Sequence, residues 1–239
     1  MSNELIKLIF PDGSIKEFEK GVTPSMVASS ISSSLVKKCV IAKLDEELID
    51  MNSPILRDGH IQLLTAQTEG LEPVLNHSCA HLLANAIKEL YPGAMFGVGP
   101  AIEEGFYYDM DLGNVKLTEE DLPKIEKKMQ ALVASGMEIK RLEVSKEEAL
   151  ELFKDDVYKL ELINELPEGE VISIYEQGNF RDLCRGPHVS STKWLKNFKL
   201  LSVSGAYWRG DSSKAQLQRV YGTCFMNEES LKTHLYNLE

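Results

Sequence analysis

Alternating apolar and polar positions predict several short strands in the first 65 residues. The first two, at 4–10 and 14–18, flank the turn Pro11-Asp12-Gly13, in which proline fixes φ and glycine allows a tight reversal. Two strands joined by so short a turn form a hairpin. The remaining strands of this stretch are predicted at 39–44, 48–50 and 61–64.

A helix is predicted between these strands, because Thr23 before Pro24 has the pattern of an N-cap followed by proline in the first turn. Its buried face is predicted to consist of Met26, Val27 and Ile31. A hairpin, a helix and further strands in about 65 residues predict a small α+β unit of the ubiquitin-like type. The polar stretch 65–73 is interpreted as a linker to a second, larger unit.

Two longer helices are predicted in the second unit from apolar residues that recur at helical spacing. The first covers about 73–90 and carries Leu75, Leu82, Leu83, Ala86, Ile87 and Leu90. The second covers about 119–135, with Thr118 as its N-cap and Gly136 as its C-terminal stop. Its inward positions are predicted to be Leu122, Ile125, Met129, Leu132 and Val133.

The rest of the second unit mixes strands with short helices, which gives an α+β class for the whole chain. Gly-rich, aromatic 96–111 predicts strands and a turn, and Ser145 opens a capping box for a short helix to about 153. Asn227 is predicted to cap a closing helix. Further strands are predicted at 171–175, 180–184, 199–204 and 216–223.

Composition and charge narrow the classes of protein. With 43% hydrophobic residues the chain is foldable, and no apolar run approaches the roughly 20 residues that cross a bilayer. The N-terminus has no basic stretch followed by an apolar one, so we expect no signal peptide and a cytoplasmic location. The cysteines are scattered, which predicts reduced thiols rather than a disulfide framework: Cys39, Cys79, Cys184 and Cys224.

The net charge of -11 is unevenly distributed along the chain. Residues 66–180 hold 10 basic and 23 acidic residues, whereas 181–219 hold 8 basic and 2 acidic ones. An acidic average argues against a general nucleic-acid binder, because affinity for phosphate backbones comes mainly from Lys and Arg. The local basic stretch could still hold the end of one strand.

Two motifs contain most of the side chains that can perform chemistry. His77 and His81 are four residues apart, which places both imidazoles on one face of a helix. Cys184 and His188 have the same spacing in a segment that its glycine and proline make a turn. A thiol and three imidazoles can bind zinc, and they can equally perform acid-base chemistry near neutral pH. The residues alone leave both functions open.

Four segments, 77–84, 97–109, 182–189 and 205–212, resemble the bacterial threonyl-tRNA synthetase family. The resemblance covers the whole chain and implies a TGS domain at 1–65 and a domain that edits mischarged tRNA at 66–225. Residues 226–239 would begin the helix leading to the aminoacylation core. That core would follow Glu239, so the chain is expected to be an N-terminal fragment, with ATP and zinc needed only by the missing core.

The resemblance implies that the chain hydrolyses Ser-tRNA(Thr) to serine and tRNA. Serine lacks one methyl group of threonine, and one methyl group gives only about 1–3 kcal/mol of discrimination in binding. A second site that admits serine and excludes threonine therefore corrects the error. The expected partner is the tRNA(Thr) acceptor end that carries serine, with no membrane partner and no prediction of the oligomeric state.

The implied catalytic residues are His77, His81, Lys159, Asp182, Cys184 and His188. His77 would activate water, because a helix N-terminus disfavours the imidazolium form. Lys159 would orient water or stabilise the oxyanion, and Asp182 would hold the substrate ammonium group or orient a histidine. The other three would form the pocket wall, and Cys184 is not assigned as a nucleophile.

The implied substrate-binding residues are Gly99, Gly105, Tyr108, Arg181 and Arg185. The two glycines would offer backbone N–H groups to the substrate, Tyr108 would line the pocket beside Lys159, and the arginines would contact phosphates. No metal ion is assigned to the editing reaction. The alternatives are a zinc-dependent deacylase of the alanyl-editing type and a non-catalytic tRNA-binding module, while the role of residues 1–65 stays open between docking, tRNA contact and structure.

Overall fold

The first unit of the protein is a five-stranded mixed sheet with two short helices. The computed structural model describes residues 3–239. Met1 and Ser2, which are part of the segment used to predict that there is no signal peptide, lie outside the described residues. The elements of this unit are β1 (Leu5–Ile9), β2 (Ile15–Glu19), α1 (Pro24–Ile31), α2 (Ser33–Lys38), β3 (Cys39–Leu44), β4 (Glu47–Ile49) and β5 (Gly59–Thr65). The strand order is β2-β1-β5-β3-β4, with β1 and β5 parallel and the other neighbours antiparallel.

Helix α1 has the predicted cap but only part of the predicted buried face. The Thr23 hydroxyl accepts a hydrogen bond from the Met26 N–H at 3.2 Å. Val27 is fully buried, whereas Met26 and Ile31 are exposed, so the prediction for those two residues is wrong. The helix has only two turns before Ser32 caps the unpredicted α2, and therefore only a narrow stripe of α1 faces the sheet.

The second unit contains five helices and two antiparallel sheets. In chain order its elements are α3 (Glu72–Leu90), β6 (Met95–Phe96), β7 (Ala101–Ile102), β8 (Gly105–Asp111), α4 (Leu122–Ser135), β9 (Lys140–Val144), α5 (Lys146–Leu152), α6 (Val157–Glu165), β10 (Ile172–Gln177), β11 (Phe180–Leu183), β12 (Asn197–Tyr207), β13 (Gln216–Phe225) and α7 (Glu228–Leu238). One sheet has the order β12-β13-β8-β6, with β7 paired to β8, and the other has the order β11-β10-β9. The predicted α+β class is confirmed.

Helix α3 is the centre of the second unit. Thirteen of its nineteen residues are buried, because β8 and β13 pack on one side of it and α4 on another. Asn76 joins it to β13: the side-chain oxygen accepts the Cys224 N–H at 2.9 Å, and the side-chain NH2 donates to the Cys224 carbonyl at 3.3 Å. A helix buried on several sides places its polar residues inside the protein, where they need partners.

The structure moves several predicted boundaries. Leu71 is buried and α3 begins at Glu72, which shortens the predicted linker. The predicted helix at 119–135 starts as a 3-10 turn, with α4 following from Leu122 to a left-handed Gly136. Strand β9 was not predicted because its Lys-Arg-Leu-Glu-Val sequence lacks a clear alternation, and α6 was missed although Asp156 caps it.

The two units share a boundary in which β3 takes part. Val40 and Ile41 of that strand are fully buried and belong to the same apolar cluster as the residues around α3. The remaining buried residues of the first unit form their own cluster around Leu8, Val27 and Ile61. Within residues 3–239, no helix combines the length and the hydrophobicity that a membrane span requires.

Gly105→Ala is expected to destabilise the fold by about 1–3 kcal/mol, because overpacking of a close backbone contact forces the strands apart. A Cβ at this position would collide with the Gly222 carbonyl oxygen of β13. Gly93→Ala is the matched control, since nothing lies within 4 Å of a Cβ there. Urea unfolding of both variants measures the difference, and equal midpoints would contradict this account of Gly105.

Candidate active site

Three imidazole rings meet beside α3. His77 and His81 lie on one face of that helix, with ring centroids 5.6 Å apart, as their spacing predicts. The ring of His188 comes from the loop after β11 and lies against both, at 4.3 Å from the first and 4.2 Å from the second. His81 and His188 are buried, whereas His77 is half-buried and is the most accessible of the three.

The thiol of Cys184 joins two of these rings. Its Sγ lies 3.3 Å from His77 Nε2 and 3.3 Å from His188 Nε2. The Gly186 N–H donates to the same sulfur at 3.3 Å. Gly186 has a φ of +80°, and a Cβ there would collide with the hydroxyl of Tyr175. Glycine is therefore required for the turn that brings the thiol and His188 together.

Ser78 orients the ring of His188. The Ser78 hydroxyl oxygen accepts the Val189 N–H at 3.1 Å and lies 2.9 Å from His188 Nδ1. Within residues 3–239 the Ser78 hydroxyl proton has no acceptor other than Nδ1, so we assign it to that atom, which places the ring proton of neutral His188 on Nε2. That tautomer donates to the Cys184 sulfur.

A buried ion pair lies on the other side of His81. Lys159 Nζ of α6 is 2.8 Å from Asp182 Oδ1 of β11, and it donates to the Gly97 carbonyl at 2.8 Å and to the Tyr108 hydroxyl at 2.9 Å. Tyr108 donates to Asp182 Oδ2 at 2.5 Å, and His81 Nε2 lies 3.3 Å from the same oxygen. Both charged side chains are at most 4% exposed, so water hardly screens their attraction.

The ammonium of Lys159 has an oxygen atom beside it for each of its three protons: the Gly97 carbonyl, the Tyr108 hydroxyl and, at 2.8 Å, Asp182 Oδ1. Asp182 Oδ1 has no other polar partner within residues 3–239. Each charge of the pair is therefore balanced by the other inside the site.

Burial keeps the three imidazoles neutral. It lowers the pKa of His77 below 6.5, against the opposing effect of the Asp182 charge. It lowers the pKa of His81 and of His188 well below 6.5, and the neighbouring rings lower both further. The helix N-terminus proposed for this effect is not the cause, because α3 begins five residues before His77 and burial is the dominant contribution.

The thiol of Cys184 is also in its neutral form. Burial raises its pKa to about 12, and the Gly186 N–H only partly offsets this. A thiol with such a pKa has almost no thiolate at neutral pH, and the thiolate is the nucleophile. The structure therefore gives Cys184 the properties of a hydrogen-bonding residue between two imidazoles.

The structure brings seven of the predicted site residues into one network and leaves the others outside it. The network comprises His77, His81, Tyr108, Lys159, Asp182, Cys184 and His188. Gly99 lies against the ring of Tyr108 and so supports the network. Gly105 does not approach the site, because its close contact is with β13.

Arg181 and Arg185 are exposed and paired with Glu176 and Glu170, respectively. Each lines a cavity that reaches the network: one of about 260 Å³ touches Lys159 and Asp182, and one of about 220 Å³ touches Cys184.

The basic stretch 181–219 is largely neutralised within the protein. Six of its eight basic residues are within 4.0 Å of a carboxylate oxygen, which limits the attraction that the sequence predicts for phosphates. Arg219, for example, makes a two-point contact with Asp109 at 2.7 and 2.9 Å. The pairs are Arg181–Glu176, Arg185–Glu170, Lys199–Glu126, Arg209–Glu165, Lys214–Glu161 and Arg219–Asp109.

Sequence reasoning missed three residues that hold the network. Ser78 is fully buried and lies between His77 and His81 in the histidine motif. Its place on the predicted helix, next to His77, was the only sequence signal that it belongs to the site. Tyr175 of β10 packs its ring against His188 at 4.3 Å. Asp50 of the first unit contacts both Tyr175 and the main chain of His188, and no local pattern marks it.

Four side chains have the composition of a metal site. One ligand atom from each of His77, His81, Cys184 and His188 can be chosen so that all four lie within 4.8 Å of one another. A tetrahedral zinc ion with ordinary bond lengths holds such atoms about 3.3–3.6 Å apart. The set would have to contract onto the ion, and His81 Nε2 already lies beside Asp182.

Comparison with known proteins agrees with the resemblance of the motifs. Residues 6–65 match the TGS domain family, and residues 172–221 match the family described as the threonyl and alanyl tRNA synthetase second additional domain. The threonine–tRNA ligase of Geobacillus sp. (strain WCH70) is 53% identical over 239 residues, or 99% of this chain and 37% of the relative. That of Oceanobacillus iheyensis is 55% identical over 237 residues, which is 98% of this chain and 36% of the relative.

A third relative, threonine–tRNA ligase 1 of Bacillus subtilis, is 52% identical over 239 residues, or 99% of this chain and 37% of its own length. The chain is thus an aminoacyl-tRNA synthetase homologue with a TGS domain and an editing-type domain. In particular, it is similar to threonyl-tRNA synthetases throughout its own length, which confirms the resemblance. It spans about 37% of the length of these relatives.

Acidification from pH 7.5 to 5.5 is expected to reduce the free energy of unfolding. The three clustered histidines have folded-state pKa values below 6.5, so the unfolded chain binds more protons than the folded one as the pH falls through 6.5. Each histidine that stays neutral in the folded state then lowers the free energy of unfolding by up to about 1.4 kcal/mol per pH unit. Urea unfolding at a series of pH values measures the slope.

The matched variants for this prediction are His81→Gln and His60→Gln. The first removes a buried imidazole and should flatten the pH dependence, whereas the second changes an exposed side chain and should leave it as in the parent. Equal slopes in all three proteins would show that the buried imidazoles do not titrate as described.

Proposed function

We propose that this chain hydrolyses the ester bond of Ser-tRNA(Thr), which corrects the charging of tRNA(Thr) with serine. The observation that carries the proposal is the network itself: neutral imidazoles lie beside a buried Lys–Asp pair that borders a cavity of about 260 Å³. Ester hydrolysis by water needs a base, stabilisation of the oxyanion and a group that holds the amino acid. The network offers one candidate for each task.

His77 is the candidate base. It is half-buried, so water reaches it more readily than it reaches His81 or His188. Its lowered pKa keeps the ring unprotonated at neutral pH. Because Nε2 contacts the Cys184 thiol, water would have to replace the thiol at this atom before the ring could take its proton.

Lys159 and Asp182 are the candidates for charge recognition. Both side chains line the cavity of about 260 Å³, so a substrate there would meet a carboxylate and an ammonium side by side. The Asp182 carboxylate would attract the α-ammonium group of an aminoacyl ester, and the Lys159 ammonium would attract the oxygen that becomes negative during attack. Since Tyr108 contacts both side chains, it keeps their relative position fixed.

Selectivity would come from the size of the enclosed space. Serine and threonine present the same ammonium, ester and hydroxyl groups, so polar contacts do not distinguish them. The additional methyl group of threonine must clash with the wall, and a rigid wall is provided by side chains that are themselves hydrogen-bonded. His188 is such a side chain, because Ser78 and Cys184 hold both of its nitrogen atoms.

The proposal assigns no metal ion to the reaction, and ATP and zinc are assigned only to the aminoacylation activity of the longer relatives. The expected partner is the acceptor end of tRNA(Thr) in the cytoplasm. The editing-type domain match and the threonine–tRNA ligase relatives support a tRNA substrate. The zinc-dependent deacylase is kept as the second candidate, because the four potential ligand atoms are grouped.

The parent chain is expected to deacylate Ser-tRNA(Thr) faster than Thr-tRNA(Thr). His77→Ala should lower kcat by about 10²–10⁴, the usual contribution of a positioned base. Lys159→Ala should also abolish most activity, because it removes the cation beside Asp182. Release of labelled serine or threonine from the charged tRNA measures the two rates of the parent and the rate of each variant on Ser-tRNA(Thr).

His60→Ala and Lys154→Ala are the matched controls, since both side chains are exposed and outside the network. Both should retain the parent rate. Decay of the two charged tRNAs at the same rate as in buffer would favour the non-catalytic binding module instead.

Removal of metal ions is expected to leave the deacylation rate unchanged. The chain is treated with a chelator, its zinc content is measured, and the Ser-tRNA(Thr) assay is repeated with and without added zinc. A rate that is lost on chelation and restored by zinc would replace this proposal with the zinc-dependent one.

A further inference from the structure

Asp50 of the first unit is buried against the active-site network. It directly follows β4 and is 6% exposed. Its Oδ1 accepts the backbone N–H of His188 at 2.8 Å, and its Oδ2 accepts the hydroxyl of Tyr175 at 2.7 Å. The Ser53 hydroxyl also donates to Oδ2, at 3.3 Å. One carboxylate from residues 1–65 thus holds two residues that contact the catalytic imidazoles.

Tyr175 transmits this contact to the histidines. Its ring lies 4.3 Å from the ring of His188, at 68°, and 6.3 Å from that of His81. Its hydroxyl lies so close to Gly186 that no side chain fits there. The hydroxyl donates to Asp50, and the ring packs against both imidazoles in a T-shaped arrangement.

The segment 188–190 is fixed between the two units. The N–H groups of His188 and Ser190 donate to the first unit, to Asp50 Oδ1 and to the Val40 carbonyl, both at 2.8 Å. The Val189 N–H between them donates to Ser78 of α3. The N–H groups of these three residues therefore bind alternately to the first unit and to α3, which fixes the distance of the His188 ring from α3.

The contacts of the Asp50 carboxylate indicate that it orients neighbouring groups rather than only holding the two units together. Within residues 3–239 no Lys, Arg or His nitrogen lies within 4.0 Å of its carboxylate, and neutral donors satisfy its oxygens. A buried carboxylate without a cation is costly, and apolar contacts such as those of Val40 and Ile41 hold two units together at lower cost. Two hydrogen bonds to fixed donors, in contrast, define an orientation.

We propose that Asp50 is a positioning residue of the editing site, which fixes the main chain of His188 and the ring of Tyr175 from the N-terminal unit. This inference rests on the proposed hydrolysis of Ser-tRNA(Thr) and extends it. The first unit is then part of the frame of the active site, in addition to any role in contacting tRNA.

Asp50→Asn tests the proposal with little change of shape. The amide oxygen can still accept from His188, but the charge that holds the Tyr175 hydroxyl is lost. We expect kcat for Ser-tRNA(Thr) to fall about tenfold to a hundredfold, as for a small displacement of catalytic groups, with KM changed less than about twofold. Glu47→Gln, an equal charge change at an exposed position of β4, should keep the parent kcat.

Tyr175→Phe and the double variant identify the route. If Asp50 acts through the tyrosine hydroxyl, Tyr175→Phe alone should lower kcat to a similar extent, and the double variant should be no slower than the slower single variant. Multiplying effects would exclude the route through the tyrosine hydroxyl, and a parent-like kcat in Asp50→Asn would overturn the proposal. If Asp50→Asn does not fold, Tyr175→Phe, which removes one hydroxyl, provides the same measurement.

Hydrogen exchange separates this inference from the proposed function. In Asp50→Ala the amide of His188 has lost its acceptor, so exchange in residues 186–190 should become at least about tenfold faster, while Glu47→Gln should exchange like the parent. A parent chain without deacylase activity refutes the proposed function and leaves this measurement intact. Unchanged exchange in Asp50→Ala refutes the positioning role, whatever the activity.

Discussion

The buried ion pair between Lys159 and Asp182 is the interaction on which the site depends. It joins α6 to β11, and through Tyr108 and His81 it reaches β8 and α3. Removal of one partner would leave an uncompensated charge in the interior, which typically costs about 3–5 kcal/mol. An interaction so costly to break keeps four elements in register, and the imidazoles on α3 are placed relative to that frame.

The neutral state of the remaining groups follows from the same enclosure. Burial raises the pKa of Cys184 and lowers the pKa of the three histidines, so the site holds one charged pair among uncharged hydrogen-bonding groups. A charge that develops inside such an enclosure interacts strongly with the groups around it. The same burial disfavours the thiolate form of Cys184.

The sequence predicts the parts of this molecule that local patterns determine. Hairpins, caps and the pairing of His77 with His81 follow from spacing within a few residues. Lys159 was assigned only through the family resemblance, because its immediate sequence is that of an ordinary surface lysine. Asp50 and Tyr175 could not be predicted, since their contact joins positions 125 residues apart. Strand β9 was missed for a related reason: it is defined by its pairing with β10 rather than by its own alternation.

The burial of α3 also determines how the protein can unfold. A histidine pair on a surface helix could be separated through fraying of a single turn. Here the pair lies on a helix that is covered by β8, β13 and α4, so exposing it requires disruption of the main core. Opening of the loop 184–190 alone can separate Cys184 and His188 from the site, whereas the helix that carries His77 and His81 is exposed only when the surrounding core opens.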